Sequence, residues 1–359
     1  MSKTVKHIIW VALALVLIGV LLMGVSFGLG ARARDLWQGL QGVSWPFSGI
    51  GSLTYGNTRD WNNAFSADGQ YSVAADGING MTIDWISGEV LLTPYDGQDI
   101  RFVETSHENI PVERALRWGV DGSTLCIQYC APGRYGVFPG KSIEVLVPTQ
   151  LADAMAQLTI DATSADVRVS GMSIGDVTLE GISGGIDYNG GFERLYAETT
   201  SGGIVIASDG AAQSAEVSSI SGRVEVIGTI AGVRGDTTSG DVRLNGDFDE
   251  LNISTISGSI ETTGTFMRAK ADSTSASISL ESVRQPEDIH VETISGSVTL
   301  RLPEDAGISL FFDSVSGKLQ SSLPMSQVLS SGAYVYGDGT ASARVSTTSG
   351  GLRIGIAGE

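Results

Sequence analysis

Thr237-Thr238-Ser239-Gly240-Asp241-Val242-Arg243-Leu244 and Thr255-Ile256-Ser257-Gly258-Ser259-Ile260-Glu261-Thr262 are two copies of one phrase set 18 residues apart. In each, a Ser-Gly step is followed by apolar residues at alternate positions, the period of a strand with one buried face. Working outward, a Ser-Gly or Ser-Ala step recurs at 164, 183, 201, 221, 239, 257, 275, 295 and 316, at intervals of 19, 18, 20, 18, 18, 18, 20 and 21. A further copy at Ser349-Gly350 follows a gap of 33, read as an insertion, and Ser87-Gly88 is an outlying copy. A near-constant period of this length is the signature of a repeat architecture.

The third residue after each serine is Val167, Ile186, Ile204, Val224, Val242, Ile260, Ile278, Val298, Leu319 and then Leu352. Between the apolar positions stand Asp166, Arg223, Asp241, Ser259 and Lys318, which should face solvent. Two residues before the serine come Thr199, Thr237, Thr255, Thr293 and Thr347, with Ser219, Ser273 and Ser314 elsewhere, and a second strand should end there. Eighteen to twenty extended residues trace roughly 60 Å, enough for one coil of two or three strands with corners at glycines. Stacked in parallel, each coil covers the apolar face that its neighbour cannot bury alone. The expected fold is therefore all-β, a parallel β-solenoid of the β-helix kind with coils of 18–21 residues over 149–359. The insertion around Leu323 to Gly339 is expected to cap it, since an uncapped coil would expose unpaired backbone.

A β-rich module over 52–148 should precede the solenoid, with strand patterns such as Met81-Thr82-Ile83-Asp84-Trp85-Ile86 and Ser142-Ile143-Glu144-Val145-Leu146-Val147 between Asp-Gly turns. Every tryptophan lies at or before Trp118, so a boundary is placed near Pro148, and 149–157 is the one plausible helical stretch outside a membrane. Further back, Ile8 to Phe27 is 20 residues without a charge, about the ~20 that cross a bilayer core as a helix. The expected order is a cytoplasmic tail at 1–7, one transmembrane helix at 8–30 and a juxtamembrane linker at 31–51 with Trp37 and Trp45. A cleavable signal peptide ending near Ala31 and Ala33 is the rival, disfavoured by the length of the apolar run. The tail inside and the remainder outside is the favoured orientation, although Lys3 and Lys6 are nearly balanced by Arg32 and Arg34.

Subtracting those four cations from the net charge of −18 leaves −22 on the rest of the chain. Such a surface repels phosphate backbones, and no basic cluster interleaved with aromatics appears, so nucleic acid is not an expected partner. Cys126 and Cys130 are too few for a metal cage, and C-x3-C is not the redox spacing; either a local disulfide or two buried thiols fits. Gly181-Ile182-Ser183-Gly184-Gly185 matches G-x-S-x-G but is one unit of the repeat, not a strand-to-helix elbow. The recurring serines read as turn formers whose hydroxyls bond locally to backbone. His107 and His290 belong to no catalytic or metal pattern, and no nucleotide-binding glycine motif is present. Asp161, Asp166, Asp176, Asp187, Asp236, Asp241, Asp247 and Asp249 are dispersed and read mainly as solvated charges. No catalytic, cofactor-binding or metal-ligating residue is nominated, and no cofactor is expected.

Ile83-Asp84-Trp85-Ile86-Ser87-Gly88-Glu89-Val90, Pro94-Tyr95-Asp96-Gly97, Leu125-Cys126-Ile127, Val145-Leu146-Val147-Pro148 and the serial Thr-x-Ser-Gly-x-Val/Ile units stand in an order that resembles the bacterial "putative adhesin" family. This is a β-strand repeat domain of unknown function, also seen in membrane-associated envelope-stress proteins of the Lia type. The resemblance implies a solenoid, surface exposure beyond a single anchor and no established enzymatic activity, and it supplies no ligand or catalytic residue.

The leading functional expectation is a membrane-anchored, extracytoplasmic, non-catalytic binding or scaffolding protein of the bacterial cell envelope. Its partner would be an envelope polymer or a membrane or surface protein, with self-association as an option. An envelope-stress signalling accessory acting through a membrane partner is one alternative. A glycan-active β-solenoid enzyme is another, and it would need two or three carboxylates gathered on one face.

Overall fold

The computed structural model describes residues 61, 66, 68–131, 140–330 and 332–358. The tail, apolar span and linker expected over 1–51 lie outside these residues. Among the described residues no helix is long and apolar enough to cross a membrane.

Where the Thr-x-Ser-Gly phrase recurs, the chain runs extended and bends at its glycines. β7 (Met155–Gly181), β8 (Ile186–Thr199), β9 (Ile204–Ser219), β10 (Val224–Thr237), β11 (Val242–Thr255) and β12 (Ile260–Ser273) are long bent strands, each paired in parallel with the next. Register follows the phrase, with Ile186 beside Ile204, Ile204 beside Val224 and Val224 beside Val242. Each rung has a first arm after the Ser-Gly step and a second arm ending at the Thr or Ser that precedes the next one. Val224, Val226, Ile230 and Val233 of one rung are buried and stack on Val242, Leu244, Phe248 and Leu251 of the next, so the core is a set of apolar columns along the stack. This is the solenoid-like, all-β arrangement that the period predicts.

The bend inside a rung rests on glycine. Gly246 has φ +153°, and a Cβ there would lie 1.9 Å from the carbonyl oxygen of Gly228 in the rung below. Only a residue without a side chain allows that backbone approach.

The ladder continues through the expected boundary at Pro148. Ahead of β7 lie β1 (Gln70–Ala74), β2 (Gly80–Tyr95), β3 (Asp99–Ser106), β4 (Arg117–Asp121), β5 (Thr124–Gln128) and β6 (Lys141–Pro148). β2 pairs in parallel with β7 from Gly80↔Gln157 to Leu92↔Val169, with Ser87 beside Ser164, so the outlying Ser-Gly copy is a rung of the same stack. On the other side of β2 lie β5 and β6, both parallel to it. Antiparallel strands close that end: β4 on β5, β3 on β6 and β1 on β3. The expected helical stretch is a single turn, α1 (Thr149–Ala152), between β6 and β7.

At the far end the stack leaves chain order. β13 (Ile278–Ser282) and β14 (Asp288–Thr293) share one rung, and β15 (Val298–Leu302) follows β13 in the ladder. Then come β16 (Ile308–Ser314), β17 (Leu319–Ser321), β18 (Ser326–Gln327), β19 (Tyr334–Tyr336), β20 (Ala341–Thr347) and β21 (Leu352–Ile356). β20 slots between β14 and β16, and β21 between β15 and β17. The last arms of the chain are therefore interior. Within the segment expected to act as a cap, β19 pairs antiparallel with β16 and β18 with β19, which ends parallel stacking on that arm.

Candidate functional site

Every rung repeats the same corner, and the corners align in columns along the stack. On eight of the eleven rungs the second arm ends in a Thr or Ser, buried or half-buried, whose hydroxyl typically accepts the backbone N–H three residues on; Trp85, Ala162 and Gly181 take that place on the other three. Thr199 does so from Gly202 (3.2 Å), Ser219 from Gly222 (2.8 Å), Thr255 from Gly258 (3.1 Å), Thr293 from Gly296 (3.1 Å) and Thr347 from Gly350 (2.8 Å). Thr237 instead donates to the Gly240 carbonyl (2.7 Å), and its hydroxyl lies 3.0 Å from that of Thr255. These are local ST-turns turned inward, where each hydroxyl satisfies a backbone group that water cannot reach.

That local role, expected for the serines, falls two residues earlier. The serine hydroxyls reach instead to the carbonyl of the rung beneath: Ser201 to Ile182 (3.2 Å), Ser239 to Ile220 (3.3 Å), Ser275 to Ile256 (3.3 Å). The serines are at the exposed corner, one hydrogen-bond length from the neighbouring backbone, so they join rungs rather than close turns. Ser349 reaches Ile294 and Ser316 reaches Thr348, both at 3.4 Å, which traces the interleaved order of the final rungs. Ser183 donates to the Thr163 carbonyl at 3.4 Å like the others, so the G-x-S-x-G match is such a corner.

Immediately before each corner serine is one outward residue per rung. In stack order it is Ile86, Thr163, Ile182, Thr200, Ile220, Thr238, Ile256, Thr274, Ile294, Thr348 and Val315. A β-branched apolar residue alternates with threonine throughout, including the interleaved rungs, whereas chain order would break the alternation at Val315 and Thr348. Ile220, Thr238, Ile256, Thr348 and Val315 are exposed and the other six residues half-buried, so the column is a ridge at the protein surface. With rungs ~4.8 Å apart, its apolar residues recur about every 10 Å.

Beside the ridge, on the outer face of the second arm, stands a second column: Asp84, Asp161, Glu180, Glu198, Ser218, Asp236, Ser254, Asp272, Glu292, Ser346 and Asp313. Side chains two residues upstream contact several of its acids: Arg234 and Lys270 form ion pairs with Asp236 (2.8 Å) and Asp272 (3.1 Å), and the His290 ring is 3.1 Å from Glu292. Next to Asp84, Asp161 and Glu180 the equivalent positions are Thr82, Thr159 and Thr178. Burial, together with the charge of Asp161, raises the pKa of Asp84 to about 6. Burial also raises that of Asp161, against a hydrogen bond with Glu180 that lowers it.

Of the dispersed aspartates read from sequence, Asp161 and Asp236 stand in this column, and Asp161 alone is beside Asp84 and Glu180, which were not singled out. Their partnership is set by strand register and is invisible in linear spacing. Asp166 accepts the Gly185 N–H (2.8 Å), Asp241 accepts the Ser259 N–H (2.9 Å) and Asp247 the Thr265 hydroxyl (2.6 Å), while Asp176 pairs with Arg194 (2.6 Å). Asp187 and Asp249 are exposed. His107 is exposed as well. Among the described residues no three His, Cys, Asp or Glu side chains are grouped so as to hold a metal ion.

The other charged cluster is interior. Lys141, fully buried, directs its ammonium to the carboxylate of Glu104, to the carbonyl of Tyr129 and to that of Arg114 (2.7 Å). It lies 4.1 Å from the Tyr129 ring centre, while the Trp85 indole N–H donates to the Lys141 carbonyl (2.8 Å). Glu104 also accepts the Leu116 N–H at 3.0 Å. Desolvation lowers the pKa of Lys141, opposed by the adjacent Glu104. All three ammonium protons have acceptors, so this is a structural clasp between the end strands. Cys126 and Cys130 are buried thiols, not a disulfide, and burial raises the pKa of Cys130.

No curated protein matches the chain. Among solved structures it is similar to a "putative cell adhesion protein" from Clostridium sporogenes, at 10% identity over 80% of this chain and 98% of that one, TM-score 0.24. It is also similar to a "putative adhesin" from Bacteroides fragilis, at 13% identity over 65% of this chain and 95% of that one, TM-score 0.38. At such scores the likeness carries no argument about detail. The Toastrack DUF4097 family matches residues 141–250 and 193–354, which take in the buried hydroxyls, the serine joints and the interleaved last rungs. On that span, the chain belongs to the Toastrack DUF4097 family.

Proposed function

We propose that this protein is a non-catalytic binding or scaffolding module of the bacterial cell envelope, held at the membrane by its N-terminal apolar segment with residues 52–359 on the extracytoplasmic side. The observation that carries this reading is the ridge: eleven stacked corners offer an alternation of apolar and hydroxyl side chains along one line. A surface that repeats every two rungs suits a ligand that itself repeats, and an extended polymer engages many weak equivalent sites at once. An envelope polymer is the favoured partner.

The test is retention of the purified protein on isolated cell wall, soluble glycans and solubilised membrane proteins, against an acidic protein of matched charge. Saturable retention on wall or glycan, reduced in an Ile220→Asp/Ile256→Asp variant that stays folded, is the expected result. Capture by a membrane protein alone would replace this reading with that of an envelope-stress signalling accessory. The glycan-active alternative rests on the raised Asp84 beside Asp161; release of reducing ends from wall glycan that disappears in Asp84→Asn would establish it.

A further inference from the structure

Outward-facing arginines on this stack are mostly neutralised from a neighbouring rung. Arg168 pairs with Glu89, Arg194 with Asp176 (2.6 Å), Arg243 with Glu261 (3.5 Å) and Arg268 with Glu287 (3.3 Å). Arg353 departs from the pattern. It is exposed on β21, and its neighbours across the ladder are Thr299 on β15 and Gln320 on β17, with no acid between them. Among the described residues it forms no ion pair.

Two residues along, the outward position on β21 is Gly355, flanked by Arg301 of β15. Without a side chain there, the strand face opens into a trough of about 350 Å³ whose lining includes Arg301, Arg353, Thr299, Gln320, Ser321 and Ser322. Arg301 is ion-paired with Glu281 at 3.5 Å, so of the two guanidiniums only that of Arg353 is without a carboxylate partner among the described residues. The lining is mostly apolar, Ile354 and Ile356 included, and set among it are two guanidinium groups and hydroxyl and amide hydrogen-bonding groups, in a volume at the small end of ligand sites. Guanidinium forks suit bidentate recognition of carboxylate or phosphate oxygens. On a chain of net charge −18 the long-range field offers anions no attraction, so selection must come from these local contacts.

We infer that the trough at the end of the stack, between Arg301 and Arg353, binds an oxyanion carried on a hydroxylated carbon chain, either a polyol or sugar phosphate or a sugar carboxylate. The unpaired guanidinium of Arg353 takes the oxyanion, with Arg301 beside it, and Thr299, Gln320 and Ser322 take the hydroxyls. The site is separate from the ridge and stands or falls independently of it.

The experiment is calorimetric titration of the full-length protein with glycerol 3-phosphate and, separately, with glucuronate, the two arms distinguishing the sources of the anion. At least one should bind saturably and weaken tenfold or more in Arg353→Gln. Gly355→Leu, which fills the trough without touching a charge, should weaken it comparably, and Arg243→Gln, elsewhere on the stack, should leave it unchanged. Circular dichroism verifies that each variant keeps its strands. Absence of binding in both arms, or an Arg353→Gln variant that binds like the parent, overturns the inference.

Discussion

At the residue scale two buried charges behave in opposite ways. The Lys141–Glu104 clasp is complete, so removing one partner strands the other in a dry interior, at a cost of about 3–5 kcal/mol. Lys141→Met should lower the denaturation midpoint accordingly. Lys141→Met/Glu104→Gln, which keeps an acceptor for the Leu116 N–H, should recover most of the loss in urea titrations. Asp84 is the reverse case, a carboxyl whose folded pKa of about 6 exceeds its usual 3.8. Its stabilising share is complete below pH 3.8 and lost as pH rises through about 6, because the unfolded chain ionises more readily. Asp84→Asn should therefore raise the thermal midpoint at pH 7, by the equivalent of about 1–3 kcal/mol, and flatten its fall between pH 4 and 6.5. Parallel pH curves for variant and parent would contradict this. Neither feature was legible in the sequence. Lys141 meets Glu104 across strands 37 residues apart in the chain, and Asp84 meets Asp161 across 77; only register makes them neighbours.

At the scale of the element, the corner is the unit of stability. The sequence located it, because serine, glycine and threonine recur at fixed offsets, but it assigned the wrong hydroxyl to the turn. Both side chains can bond nearby backbone; the pleat decides which is buried, and the residue two before the serine is on the inner face. Thr255→Val keeps the shape and removes the acceptor of the Gly258 N–H, leaving that amide unpaired at a cost of about 1–3 kcal/mol. Hydrogen exchange should show faster exchange at Gly258 and along the adjoining rungs, with little change at the far ends, since repeats contact only their neighbours. Thr255→Ser should be close to silent, since Ser219, Ser273 and Ser314 fill the same place on other rungs.

At the scale of the whole molecule, both ends carry the same device, at the far end on one arm only. The parallel ladder meets antiparallel strands, β3 and β4 at one end and β19 at the other, which occupy edges that would otherwise recruit further strands. The interleaved order has a direct check by cross-linking. His290 and Arg344 are register partners, so cysteines placed at those two positions should form a disulfide on mild oxidation. A pair at His290 and Phe311, two rungs apart with Arg344 between, should not. Cross-linking of the second pair and not the first would restore simple chain order.

What the sequence determined by itself was the rung. A period of 18 to 21 residues, alternating apolar positions and a hydroxyl-glycine corner dictate an extended, bent, half-buried unit, because those are local requirements of pleat and turn. What only the tertiary structure decided was the order of rungs at the two ends: β5 and β6 beyond β2, and β20 and β21 inside β16 and β17. The gap of 33 residues before Ser349 marked an insertion but not where the chain would return after it. Each rung offers its neighbours nearly the same edge and the same apolar columns, so local chemistry permits many stacking orders. The choice falls to the connections and the antiparallel caps, which are properties of the assembled stack.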